Sequence, residues 1–215
     1  MFFRILIALR NIVYKNRKSI ATGNQVNLPP STEKRMKKST IKIKGQGNTL
    51  TIGEHCTLTN CEIRLYGRHN HIEIGDNVRF KAGRIFLFDT SGQHIKIGSE
   101  TTVEQAELLS DEAASIDIGR DCMLSRDIVI RTGDKHSILD AESGQRLNPA
   151  RDIRLEDRVW IGRAVQILKG SHLSADTVVA ACSVVTREFT QTNVVVAGIP
   201  AKVVKTGIRW NRDLL

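Results

Sequence analysis

The pattern aliphatic-x-aliphatic-Gly returns along this chain at a nearly constant step, and few architectures can use such a pattern. It occurs as Leu50-Thr51-Ile52-Gly53, Ile72-Glu73-Ile74-Gly75, Ile95-Lys96-Ile97-Gly98 and Ile116-Asp117-Ile118-Gly119. Weaker copies are Ile153-Arg154-Leu155-Glu156 and Leu173-Ser174. The steps are 22, 23 and 21 residues, then 37 to Glu156 and 18 to Ser174. Apolar or small residues keep register after each motif. Three positions on stand Cys56, Val78, Thr101, Cys122, Val159 and Thr177, and five on stand Leu58, Phe80, Val103, Leu124, Ile161 and Val179. Eight on stand Cys61, Gly83, Ala106, Asp127, Ala164 and Cys182, and ten on stand Ile63, Ile85, Leu108, Val129, Gln166 and Val184.

An alternation of period two reads as short strands, and the breaks fall at Gly, Asn and Asp, which tolerate turn geometry. Three short strands cannot bury a face alone. They can stack coil on coil, each pairing with its copy in the next turn. The expected fold is therefore all-β: a parallel β-helix of six coils over 41–187. The 37-residue step is one coil plus a loop insertion at 131–152. The handedness does not follow from this arithmetic.

The 215 residues carry a net charge of +9, with 26% charged and only 5% aromatic residues, so the core is expected to be aliphatic. The charge is localised: residues 1–48 hold eleven Lys or Arg against Glu33 alone, +10, leaving −1 for the remainder. Residues 1–40 read as a basic N-terminal helix and arm, and 188–215 as a C-terminal tail. In Met1–Val13, Phe2, Ile5, Leu6, Leu9, Ile12 and Val13 follow helical spacing, with Arg4, Asn11, Lys15 and Lys18 on another face. That amphipathic basic helix suits packing on protein or contact with an anionic membrane face. No stretch reaches the roughly 20 apolar residues of a membrane span, and no signal cleavage site is present, so the expected location is cytoplasmic, with any membrane contact peripheral and at the inner face. The four cysteines form no C-x-x-C pair and read as buried, reduced thiols.

Val159-Trp160-Ile161-Gly162, Ile167-Leu168-Lys169-Gly170, Ala181–Arg187 and Ala197-Gly198-Ile199-Pro200-Ala201-Lys202, with Gly133–Ile138 upstream, resemble the hexapeptide-repeat acyltransferases. The branch most resembled is the O-acetyltransferases of sialic acid capsules and other surface polysaccharides. The sharp motifs cover 131–205 and the wider likeness 41–207. The resemblance implies a left-handed parallel β-helix, a homotrimer, acetyl-CoA as donor, and a glycan acceptor, anionic or neutral. The sequence departs from the family in its long early coils, where Tyr66–Asn70 is expected to bulge at a corner. Two other departures are Cys182 at a usual glycine and Asp127 at an inward small-residue position.

Transfer to a hydroxyl needs a base, and a histidine titrating near neutrality can take and return a proton. By resemblance His136 is that base, with direct attack of the acceptor on the thioester. Asp134 or Asp140 would orient it, although Asp134 also suits a plain turn. Arg131 could meet an acidic acceptor. Val159 and Ile161 point inward in register, so Trp160 points out; the resemblance puts it beside acceptor and acetyl group. Ala180 and Ala181 match positions along the pantetheine arm, and Thr186, Arg187, Lys202 and Lys205 match those at the phosphates. No metal is expected, since the six histidines lack a ligating pair. The competing readings are N-acetylation of an amino-sugar nucleotide and a non-enzymatic scaffold for an anionic polymer. The arm lacks the interleaved aromatics of a single-strand binder, so no nucleic-acid partner is expected.

Overall fold

The computed structural model describes residues 15–214. The chain winds into a three-sided prism whose faces are eight-stranded sheets. Sheet A runs from Arg17–Ile20 through Ile128–Arg131 to Val184–Val185. Sheet B runs from Gln25–Asn27 through Ile153–Leu155 to Glu188–Phe189. Sheet C runs from Thr57–Leu58 through Trp160–Ile161 and Val178–Val179 to Val194–Gly198, where the antiparallel strand Ala201–Thr206 closes it. Each coil visits A, then B, then C. Every pairing but that last one is parallel and joins a strand to its copy one coil on, as in Ile72 to Ile95 to Ile116 to Ile153. The inward residues of the three faces fill one continuous aliphatic core.

The recurrent glycine has a steric cause. At Gly98 an added Cβ would stand 2.5 Å from the carbonyl carbon and oxygen of Gly119 on the next coil. At Gly119 it would stand 2.5 Å from the backbone carbon of Glu156. The corner between B and C brings successive backbones too close for any side chain. The residue after the glycine ties the coils together: Asp76 accepts from the Glu54 N–H at 2.7 Å, Ser99 from Asp76 at 3.0 Å, and Asp157 from Arg120 at 2.7 Å. One residue further on, the chain turns through left-handed backbone in the six coils after the first (His55, Asn77, Glu100, Asp121, Arg158, Asp176). Asn and Asp adopt that conformation most readily. The corner between A and B in the early coils is held by a buried amide ladder. Asn24 accepts from the Asn48 N–H at 3.0 Å, Asn48 from Asn70 at 3.0 Å and Asn70 from Gln93 at 2.9 Å.

Four sequence expectations change. The β-helix begins before residue 41: Arg17–Ile20 pairs with Thr40–Ile43, and Gln25–Asn27 pairs with 49–51. The first coil lacks the glycine motif, which hid it; the expected amphipathic helix lies in 1–14, outside the described residues. The tail is likewise shorter, because 188–206 still supplies strands to B and C. The register slips by one after the fourth copy of the glycine motif: Ala106 stacks on Ile128, not Asp127, and Gln166 and Val184 share an outward row with Val129. A third residue has entered the C-to-A turn, so Asp127, Ala164 and Cys182 occupy left-handed corner positions. Cys182 is therefore exposed, whereas Cys56, Cys61 and Cys122 are buried. Burial pushes the Cys61 and Cys122 thiols up to about 12. Finally, the extra early residues mainly lengthen sheet A strands, Cys61–Arg68 and Gly83–Ser91, with a register shift between Leu65 and Gly67.

Gly98→Ala should destabilise the protein by about 1–3 kcal/mol through overpacking, read as a lower urea midpoint with unchanged far-UV circular dichroism.

Candidate active site

The insertion leaves sheet A after Ile128–Arg131 and re-enters sheet B at Ile153–Leu155, so it projects from the A–B corner. It is a tied loop. Leu147 N–H donates to the Ile138 carbonyl and Asp140 N–H to the Gln145 carbonyl, both at 2.8 Å. Asp140 turns the tip, accepting from the Ser143 N–H and hydroxyl at 2.7 Å each. The root is clamped by Asn148, which is buried. Its amide donates to the His136 carbonyl at 2.9 Å and to the Asp134 carboxylate at 2.7 Å, and its Oδ1 accepts from the Ile138 N–H at 2.6 Å. Lys169, from the coil above, reaches the same Asp134 carboxylate and donates to the Asn148 carbonyl at 3.2 Å. Beneath, Lys135 pairs with the buried Asp111 and lies over the Phe88 ring.

The imidazole of His136 is thus presented to solvent on a backbone fixed from both sides. Neither expected orienting carboxylate is on its ring. Asp134 is committed to Lys169 and Asn148, and Asp140 to its own turn. Arg131 faces Asp111, its Nε 3.9 Å from the carboxylate.

Trp160 stands on the outer face of sheet C, 36% exposed, between the inward Val159 and Ile161. It does not stand alone. The last residues fold back over sheet C, and the Trp210 ring lies 6.0 Å from the Trp160 ring. Trp210 Nε1 donates to the Arg158 carbonyl at 2.7 Å, and Arg212 donates to Asp121 at 2.8 Å. Ala180 and Ala181 follow strand Val178–Val179 at the C–A corner. Lys202 and Lys205 are exposed on the closing strand of sheet C. Small residues with cations on the adjoining strand suit an extended chain ending in phosphates. Thr186 and Arg187 depart from this group: they lie between Val184–Val185 of sheet A and Glu188–Phe189 of sheet B, at the corner that carries the His136 loop. Within one protomer His136 sits at the A–B corner and Trp160 on sheet C, the face opposite that corner.

No family model matches the sequence. A polysialic acid O-acetyltransferase from Neisseria meningitidis is 34% identical over 192 residues, 89% of this chain and 87% of that enzyme. This chain belongs to the same family, the hexapeptide-repeat acetyltransferases in their polysialic acid O-acetyltransferase branch. A polysialic acid O-acetyltransferase from Escherichia coli O1:K1 is 32% identical over 142 residues, 66% of this chain and 45% of that enzyme. Among solved structures, that of a polysialic acid O-acetyltransferase superposes with a TM-score of 0.85 at 30% identity, covering 94% of this chain and 93% of the other. That of a polysialic-acid-specific acetyltransferase superposes at 0.79 with 28% identity, covering 94% and 90%. The left-handed parallel β-helix is the fold of this family and of this chain. Among the described residues no cluster of His, Cys, Asp or Glu could hold a metal ion, and no helix is long and apolar enough to cross a membrane.

Two residues of the candidate site escaped the sequence reading. Asn148 is an isolated polar residue before a proline, with no pattern to mark it. Trp210 lies beyond the repeat, and its pairing with Trp160 spans 50 residues of chain.

Removing the clamp should loosen the His136 loop without unfolding the prism. Asn148→Ala is expected to lower acetyl-transfer kcat roughly a hundredfold, the scale of a 1 Å misplacement, with the KM for the acetyl donor unchanged. The Lys169 ammonium, then the Asn148 amide, hold the Asp134 carboxyl below the usual carboxylate range. A lowered folded-state pKa means the contact is complete above that range and is lost as pH falls through it. Protection of the 132–152 loop from proteolysis by an acid-tolerant protease should therefore be flat from pH 8 to 5 and fail only below about pH 4.

Proposed function

We propose that this protein transfers an acetyl group from acetyl-CoA to a sugar hydroxyl of a sialic-acid-containing capsular polysaccharide, or of its precursor. His136 is the general base. It takes the hydroxyl proton as the sugar oxygen attacks the thioester carbonyl, and it returns the proton to the departing CoA thiolate. No acyl-enzyme forms. The carrying observation is the rigidly rooted loop that offers an unencumbered imidazole at the A–B corner, in a chain akin to polysialic acid O-acetyltransferases.

The separation of His136 from Trp160 within one copy leads to the second part of the proposal. The site is completed by a neighbouring copy, in a homotrimer whose prisms stand side by side. The A–B corner of one prism then faces sheet C and the C–A corner of the next. His136, Thr186 and Arg187 come from one subunit, and Trp160, Ala180, Ala181, Lys202 and Lys205 from the other. The small corner residues admit the pantetheine arm, and Arg187, Lys202 and Lys205 meet the phosphates. Trp160, backed by Trp210, walls the acetyl group from water. Arg131 and Lys135, already turned toward Asp111, set a positive field beside the base that favours an acidic sugar.

His136→Ala should reduce acceptor-dependent loss of acetyl-CoA about 10²- to 10⁴-fold on polysialic acid, and the product ester should be released by mild base. Co-expressed His136→Ala and Trp160→Ala chains should recover activity that neither shows alone. In randomly mixed trimers about a quarter of the interfaces pair an intact His136 with an intact Trp160. No recovery in demonstrably mixed trimers would place the whole site in one protomer.

A further inference from the structure

The first coil differs from every other in its charge. Nine of the eleven basic residues of 1–48 belong to the stretch from Lys15 to Lys44, against Glu33 alone, a local charge of +8. Glu33 is itself paired with Lys18. Lys15, Arg17, Lys34, Arg35, Lys37 and Lys38 are all exposed. They sit at one end of the prism, because Arg17–Ile20 and Gln25–Asn27 are the terminal strands of sheets A and B. Farther along, cations are matched by acids: Arg64 with Glu62, Lys96 with Glu73, Arg84 with Glu107 and Arg163 with Asp127. The excess positive charge is therefore a cap on a blunt end and does not continue as a track toward the catalytic loop. Five strand spacings of sheet A separate the terminal strand from Ile128–Arg131, about 24 Å at about 4.8 Å each. Residues 1–14, outside the described residues, precede this end in sequence and include Phe2, Phe3, Ile5, Leu6, Ile7, Leu9, Ile12 and Val13.

We propose that this end of the prism docks on an anionic lipid bilayer, with the cations of the first coil on the headgroups. A flat charged surface fits a blunt cationic end, whereas a polymer held for acetylation needs a run of cations leading to His136, and on sheet A between that end and the loop Arg64 and Arg84 are paired with Glu62 and Glu107. A polybasic cluster is drawn to an anionic leaflet, and the attraction falls off within a Debye length of its surface. The catalytic loop is held clear of the lipid, where it can meet a polysaccharide.

The test is flotation of the full chain with vesicles of phosphatidylcholine alone or with 30% phosphatidylglycerol. It compares wild type with the combined Lys15→Gln, Arg17→Gln, Lys34→Gln, Lys37→Gln variant, and measures kcat and KM on soluble polysialic acid in parallel. Binding to the anionic vesicles only, weakened at least tenfold by the variant and by 0.5 M salt, with kinetics unchanged, is the expected result. Wild type that fails to bind anionic vesicles, or a variant that binds them as wild type does, overturns the proposal. So does unchanged vesicle binding with a raised KM, which would assign the cap to the polysaccharide. Vesicle binding needs no acetyl transfer, so this inference and the proposed activity fail separately.

Discussion

Parallel ladders between successive coils fix their separation at about 4.8 Å, and the corners have to be built within that distance. Along the faces the spacing leaves room for Ile, Val and Leu to stack inward. At the B–C corner it leaves none, so the chain places Gly53, Gly75, Gly98 and Gly119 one above another. The same closeness lets Asp76, Ser99 and Asp157 cap the backbone of the preceding coil. Core, corner and inter-coil polar contacts are thus consequences of one spacing. With a mainly aliphatic core and, among the described residues, no long helix, the molecule depends on repetition.

Such a scaffold is stiff along its ladders, and that is what a catalytic loop requires of its base. Residues 132–152 add nothing to the aliphatic core, yet both ends of the insertion are strands held in place by neighbours above and below. The loop's own polar groups do the rest. Asn148 satisfies three partners at once, and Lys169 joins the loop to the next coil. An amide serves here where a carboxylate could not. It must donate to Asp134 and to the His136 carbonyl while accepting from Ile138, and an ionised side chain only accepts. Among the described residues no side chain is hydrogen-bonded to the His136 ring, whereas His94 and His172 are engaged by Asp117 and Glu156.

What could be read from the sequence was what the repeat imposes. The inward residues Ile63, Ile85 and Leu108, the outward Trp160 and the existence of the long insertion all follow from period and step. The register failed where a corner gained a residue. Between Leu124 and Ile128 the chain needs one more residue than between Val103 and Ala106, and the strands on either side look the same in either register. The first coil was hidden because its corner carries Asn, Pro and Thr32 in place of the motif, and its charge suggested an arm. Thr32 nonetheless does the work of the later corners, accepting from the Cys56 N–H at 2.9 Å. Asn148 and Trp210 were hidden because their partners are distant in sequence and belong to no period.

The separation of the His136 loop at a corner from Trp160 on the opposite face has a topological origin. In a prism of three sheets, side chains on different faces diverge, so loops and faces of one copy cannot converge on a single small substrate unless an insertion wraps around the outside. The 132–152 insertion does not wrap: its ends and its clamp all lie at the A–B corner. Convergence between copies is then the direct solution, and the proposed trimer brings it about by setting one prism's corner against the next prism's sheet C. It also separates two demands on the sequence. Folding rests on contacts between coils of one chain, which the ladders and the aliphatic core satisfy. In the proposed trimer, catalysis would rest on contacts between chains, and so on outward residues that the fold leaves free to vary. Trp160, Ala181 and His136 are all of this outward kind, which is why they stand out against the repeat.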